Sequence, residues 1–252
     1  MYERDQNMNG KQRFLLLAVL CLGLGIFQQG KSQLYVGLGF QAGFNNMPNA
    51  NIPVDRFNNR GFLSKRMGKF HFPMGGIYEV SIRPDRMLLG LSLNTKRQRV
   101  SAESFDANTL IRRDVRFVIQ ALSLSGGYDL AGQETFACYL GGSLDFGYLR
   151  LLTRFGPKEN IGQYKYGLLG RRSMIAGTAF LKMVFMTERN AKSVWSLTPY
   201  IQYPLQEFNF LIMNQILNTA TYQLDGLNLP GRPVNFGVAL NFDLELLSFL
   251  SD

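Results

Sequence analysis

From Gln33 to Gly43 the chain alternates without a break. Leu34, Val36, Leu38, Phe40 and Ala42 share one face, and Tyr35, Gly37, Gly39, Gln41 and Gly43 share the other. A period of two is that of a pleated strand with one face in an apolar medium. The last clear segment repeats the design, with Phe236, Val238, Leu240, Phe242 and Leu244 opposing Asn235, Gly237, Ala239, Asn241, Asp243 and Glu245. Each segment has the length a tilted strand needs to cross the hydrocarbon of a bilayer. Six more segments of the same kind lie at 72–83, 87–96, 115–128, 136–149, 173–186 and 194–203. In 115–128 the phase changes: Val115, Phe117 and Ile119 have one parity and Leu122 and Leu124 the other. That change predicts a β-bulge.

The connections alternate in length. Short ones at 84–86, 129–134 and 188–192 alternate with long ones near 44–71, 97–114, 150–172 and 204–233. The pattern predicts an all-β, eight-stranded antiparallel transmembrane β-barrel with short periplasmic turns, long extracellular loops and both termini in the periplasm. A soluble sandwich or lipocalin-like barrel obeys the same alternation. Aromatic residues near strand ends (Phe72, Tyr78, Tyr128, Phe136, Tyr148, Trp195, Tyr203), the loop asymmetry and the N-terminal segment favour the membrane.

That N-terminal segment reads as an export signal. Arg4, Lys11 and Arg13 precede an apolar run from Phe14 to Phe27, too short for a comfortable membrane helix. Gly30 and Ser32 supply small residues at −3 and −1, so a signal peptide 1–32 is expected, with 33–252 as the barrel. The alternative is an uncleaved anchor. Cys21 follows the bulky Leu20, against a lipoprotein site, and Cys138 then stands alone, so neither a disulfide nor a Cys/His metal cluster is expected.

Composition agrees once alternation is allowed for. A mean hydropathy of −0.05 and 46% hydrophobic residues look ordinary, because two opposed faces cancel in any average. The 26 Gly, 20 Phe and 11 Tyr suit strands with aromatic girdles and a crowded interior.

The formal charge of +9 falls to about +7 without residues 1–32, and most of the basic residues lie in the long connections or at outer strand ends. Nucleic acid is not an expected partner for an exported chain. Outer-membrane lipid and lipopolysaccharide are, and Arg97, Arg112, Arg113 and Arg171 are candidates for contact with lipid A phosphates. Simple solvated loop charge is the competing explanation. On the inward parity, Glu79, Arg116, Asp145, Lys182 and Asp243 form a candidate lumen charge network, with Arg83, Lys96 and Glu245 beside them. An eight-stranded lumen is just wide enough to be filled by side chains, so a charge-paired plug is expected over a narrow channel.

No catalytic residue, cofactor or metal is expected. The sole histidine, His71, has only Ser64 nearby in sequence, which leaves a lipid A-modifying enzyme as the minor alternative. In the fourth long connection Phe208, Phe210, Ile212 and Ile216 make a run too apolar for a solvated loop. It reads as a partner-docking surface, or as a strand extension or short helix over the barrel mouth.

The segments Leu34–Phe40 after the Ser32/Gln33 junction, Tyr139–Leu149 and Asn235–Leu244 resemble the small outer-membrane barrels of the OmpA/OmpX-like and PorT-like class. The resemblance covers nearly all of the chain after residue 32. It carries over no catalytic residue, and the peptidoglycan-binding domain of the OmpA layout is not expected after the last strand. It implies a non-enzymatic structural or partner-binding subunit of a larger outer-membrane secretion or uptake complex, with type IX protein secretion the association of the PorT-like members.

Overall fold

The structure, a computed structural model, describes residues 32–59, 62–133, 135–187, 191–211, 213, 217 and 229–249. The expected export signal, Ser32 excepted, lies outside the described residues. Eight long strands dominate: β1 Ser32–Asn46, β2 Met74–Ile82, β3 Met87–Asp106, β4 Thr109–Asp129, β5 Phe136–Pro157, β6 Gly167–Phe185, β7 Ser193–Pro204 and β8 Val234–Phe249. Each pairs antiparallel with its neighbours in sequence, and β8 returns to β1 in a register running from Ser32↔Phe249 to Asn46↔Val234. The sheet therefore closes on itself, and closure removes the unpaired edges that an open sheet would leave.

The alternation places its apolar face outward. Leu38, Phe40, Tyr78, Val80, Leu91, Leu93, Leu140, Leu144 and Leu240 are between 44% and 60% exposed. Their neighbours Gln41, Ser81, Ser123, Asp145, Asn241 and Asp243 are buried in the lumen. A water-soluble barrel has the opposite polarity, so this belt requires lipid around it. At one margin Phe136, Phe185, Trp195 and Phe242 stand in register across β5 to β8. Their ring centroids lie 5.5 Å apart for Phe136–Phe185 and 4.9 Å for Trp195–Phe242, an aromatic girdle of the kind that marks a membrane interface. Together, belt and girdle define an eight-stranded transmembrane β-barrel.

The two ends differ. The strand ends Ser32 and Phe249 and the short connections between β2 and β3, β4 and β5, and β6 and β7 lie at one end, the turn end; the helix and the longer excursions lie at the other, the loop end. Two of the four expected long connections are mostly strand. β3 and β4 stay paired from Met87↔Tyr128 out to Asp106↔Thr109, leaving only Ala107 and Asn108 as the turn, with Ala107 at φ 52°. Likewise β5 reaches Pro157 and β6 starts at Gly167, so 150–172 is strand apart from 158–166.

The bulge expected in 115–128 is absent, since β4 keeps continuous register with both β3 and β5. What changes is the polarity of the two faces. Leu122 points outward to lipid, whereas Val115, Phe117 and Ile119 point inward and are at most 2% exposed. β5 does the same, with Leu140, Leu144 and Phe146 outward and Leu149 and Leu151 buried inside. Above the belt the sheet leaves the hydrocarbon, so its inner face becomes the dry one and its outer face carries charge. Close strand packing at this level depends on Gly147, where a Cβ would collide with the Gln120 carbonyl oxygen.

Candidate functional site

Three regions carry chemistry: the polar mid-lumen, the apolar caps that close it, and the outer face above the belt. In the mid-lumen, Lys182 bridges Glu79 at 2.6 Å and Asp243 at 3.6 Å, and Arg83 pairs with Asp243 at 2.6 Å. Asn241 adds a hydrogen bond from its Nδ2 to Glu79 at 3.3 Å. Higher up, Lys96 Nζ donates to Gln202 at 3.0 Å, Asn235 at 2.9 Å and Tyr200 at 3.2 Å. Asp145 accepts from Gln202 and Thr178, both at 2.6 Å, and from Ser143 at 2.8 Å. Three carboxylates thus face three cations, and of these Glu79, Asp145, Lys96 and Lys182 line a cavity of about 90 Å³. Such balance is what a low-dielectric lumen demands, because an unmatched buried charge costs several kcal/mol.

Of the expected network, Glu79, Asp145, Lys182 and Asp243 stand in the lumen, and Arg116 does not. Arg116 lies on the outer face, with its guanidinium 4.0 Å over the Tyr166 ring. Its misplacement follows from the bulge that is not there: without a phase slip, the residue between Val115 and Phe117 must point away from both. Lys96, Gln202 and Asn235 complete the network. They lie at the inward parity, where a polar residue on a long strand signals a lumen position.

Apolar layers lie at both ends of this polar section. At the turn end Tyr35, Leu88, Tyr139, Val184 and Val194 pack together, with Arg83 stacked 4.0 Å over the Tyr35 ring. At the loop end the helix α1, Pro48–Asn58, enters the mouth. Pro48 at its start fixes the first turn, and Ala50, Val54 and Phe57, spaced as one helix face, pack on Phe70, Val115 and Phe117. Asn58 ties the helix to the chain beyond it, accepting from Met67 N at 2.7 Å and donating to Met67 O at 2.8 Å.

The apolar run of the fourth connection joins this cap. Phe208 and Phe210 are each 2% exposed and pack with Met213, Leu217 and Leu229, so neither presents a docking surface. The short strand Phe208–Asn209 pairs with Pro230–Gly231 and folds the segment back. Ile212 and Ile216 lie outside the described residues. His71 stacks on Phe44 at 5.4 Å, with Phe72 edge-on to it at 6.3 Å. Among the described residues, no group of three His, Cys, Asp or Glu side chains is placed to hold a metal.

On the outer face of β3–β5 the charges are ordered by one carboxylate. Asp114 is fully buried beneath Arg99 at 2.9 Å, Arg112 at 2.8 Å and Arg154 at 2.8 Å. Burial alone would push its carboxyl up, but the hydrogen bonds from Arg112 and Arg154 and the charge of Arg99 outweigh it and hold it below the ordinary carboxylate range. Glu103 is held down in the same direction, first by its hydrogen bond from Lys158 at 2.9 Å. Arg112 is therefore committed to Asp114 and, at 3.7 Å, to Glu103. Arg113 points to the opposite face and lies 5.0 Å over the Phe155 ring. Arg97 and Arg171 remain on the outer face, in one cross-strand row with Arg150: Arg97↔Val118, Val118↔Arg150, Arg150↔Arg171. Sequence reasoning missed Asp114 as an organiser; the run Arg112-Arg113-Asp114-Val115-Arg116 was the signal, an acid alone among bases on alternating faces.

No protein-family model matches the chain, and no curated protein matches its sequence. Among solved structures the fold is similar to Neisserial surface protein A, at TM-score 0.47 and 9% identity, covering 86% of this chain and all of that one. It is also similar to Ail, the attachment invasion locus protein of Yersinia pestis, at TM-score 0.40 and 11% identity over 86% of this chain and 99% of the other. A third likeness is to the N-terminal β-barrel domain of Pseudomonas aeruginosa OprF, at TM-score 0.29 and 12% identity, covering 83% of this chain and 98% of that domain.

Proposed function

We propose that the protein is a sealed, non-enzymatic barrel of the bacterial outer membrane, with its turn end and termini in the periplasm. It works as a structural or partner-binding subunit of an outer-membrane complex. The observation that carries this reading is the layering of the lumen. A charge-balanced polar section lies between two buried apolar layers, and a filled lumen leaves the wall and the loop end as the surfaces available for function. The orientation rests on the usual asymmetry of such barrels, short turns inside and longer excursions outside. A type IX secretion complex, implied by the PorT-like resemblance, is the first candidate for the assembly.

Conductance in a planar bilayer tests the seal. The refolded barrel is expected to give no current steps above the lipid baseline, while steady ohmic steps would favour a narrow channel. Affinity purification from native outer membranes tests the assembly: stoichiometric recovery of a large secretion or uptake barrel supports a subunit role, and a solitary monomer counts against it.

A further inference from the structure

We infer that the outer wall of β3–β6 holds a binding site for a phosphate-bearing lipid, with the phosphate on Arg150 and Arg171 and the acyl chains in the crevice beneath them. The first observation is a like-charge pair. Arg150 and Arg171 stand directly opposite each other on β5 and β6, an arrangement that repels unless an anion lies between. Among the described residues neither has an acidic partner, in contrast to Arg99, Arg112 and Arg154, which share Asp114. Arg150 Nε is shielded from solvent and has no hydrogen-bond partner. The Arg171 guanidinium stands over the Tyr148 ring at 3.7 Å, a cation–π contact that holds it at the wall beside Arg150.

The second observation is independent of charge. A crevice of about 600 Å³ opens on the wall at the same place, lined by Leu93, Leu122 and Phe146 below and by Tyr148, Arg150 and Arg171 above. Leu93, Leu122 and Phe146 belong to the lipid-facing belt. An occupant must therefore carry an anion at headgroup depth and an apolar part at hydrocarbon depth. A lipid does both; an acidic protein segment would have to place polar backbone in hydrocarbon. Arg97, in the same row two strands away, offers a further contact to a second phosphate or a larger headgroup. The site depends on the wall alone and is separable from any protein partner.

Native mass spectrometry of the barrel released from dodecyl maltoside tests the proposal with three probes: diphosphorylated lipid A, the same lipid A stripped of its phosphates, and inorganic phosphate. Retention of diphosphorylated lipid A alone is expected. R150Q/R171Q removes the charged donors and is expected to weaken that retention roughly tenfold or more, while R86Q at the turn end leaves it unchanged. If the double variant fails to show the folded, heat-modifiable form, Leu122→Trp fills the crevice with both arginines intact and is expected to lower retention as well. Retention equal to the parent's in the folded arginine variant, or in the crevice variant, overturns the proposal. So does retention of inorganic phosphate or of the phosphate-free lipid to the same extent.

Discussion

Lys182→Met is expected to destabilise the folded barrel by about 3–5 kcal/mol, the cost of leaving one member of a buried ion pair without its partner. Lys182 is the cation for Glu79, and it also approaches Asp243, which keeps Arg83. After the substitution Glu79 retains the Asn241 amide among the described residues, so the mid-lumen network holds three carboxylates and two cations. Removing the stranded charge should reverse most of the loss. Glu79→Gln combined with Lys182→Met leaves Asp243 with Arg83 and Asp145 in its network with Lys96, Gln202 and Thr178. Urea titration of the barrel folded in phosphatidylcholine bilayers measures both. A single variant within about 1 kcal/mol of the parent, or a double variant no better than the single, would show that these groups do not depend on one another.

Asp114→Asn should have the second largest effect, confined to the part of the sheet above the membrane. It leaves Arg99, Arg112 and Arg154 converging on a neutral amide. Because Arg99 is partly exposed and water screens the repulsion, the cost is set at about 2 kcal/mol rather than the full price of a buried charge. The pH dependence has a definite sign. The folded carboxyl lies below its ordinary value, so its contribution is complete above the unfolded carboxylate value near ~3.9. It disappears as pH falls through the lower, folded value. The gap in unfolding free energy between the parent and Asp114→Asn should therefore be constant near neutrality and close only in acid. A gap that closes above pH ~5 would contradict the assignment.

The membrane-spanning half of the barrel was legible because its alternation has one meaning throughout: apolar to lipid, polar to lumen. The upper half keeps the period but exchanges the faces. In β4 the exchange falls between Ile119 and Leu122 and in β5 between Phe146 and Leu149, with no residue inserted. A parity change in sequence looks the same whether the backbone bulges or the solvent changes, and periodicity alone does not separate the two. That ambiguity produced the expected bulge, the inward placement of Arg116, and the two expected loops that proved to be strand. The helix α1 was hidden for a related reason. Its apolar face is two short residues and a phenylalanine in an Asn/Pro-rich stretch, and packing into the mouth stabilises it more than propensity does.

The lumen carboxylates and Lys182 were readable because a charge at the inward parity of a membrane strand has nowhere else to go. The pairing among them was not, since it depends on register across strands distant in sequence. Phe208 and Phe210 show the limit in the other direction. Their composition marked the segment as unsuited to water, but an apolar run says only that something must cover it, and here the barrel's own mouth does.

The central claim is that this sheet faces lipid with its apolar parity and encloses the polar one. Spin labels on single cysteines, placed one at a time along β5 and β8 in a Cys21→Ser/Cys138→Ser background and reconstituted in bilayers, measure it directly. Collision rates with oxygen, which concentrates in hydrocarbon, are expected to alternate with period two, high at Leu140, Leu144, Val238 and Leu240 and low at Ser143, Asp145, Ala239 and Asn241. The alternation should reverse sense at no position within the belt and fade beyond Tyr148. High polar-relaxant access at Leu144 and Leu240, with oxygen access no greater than at Asp145 and Asn241, would contradict it.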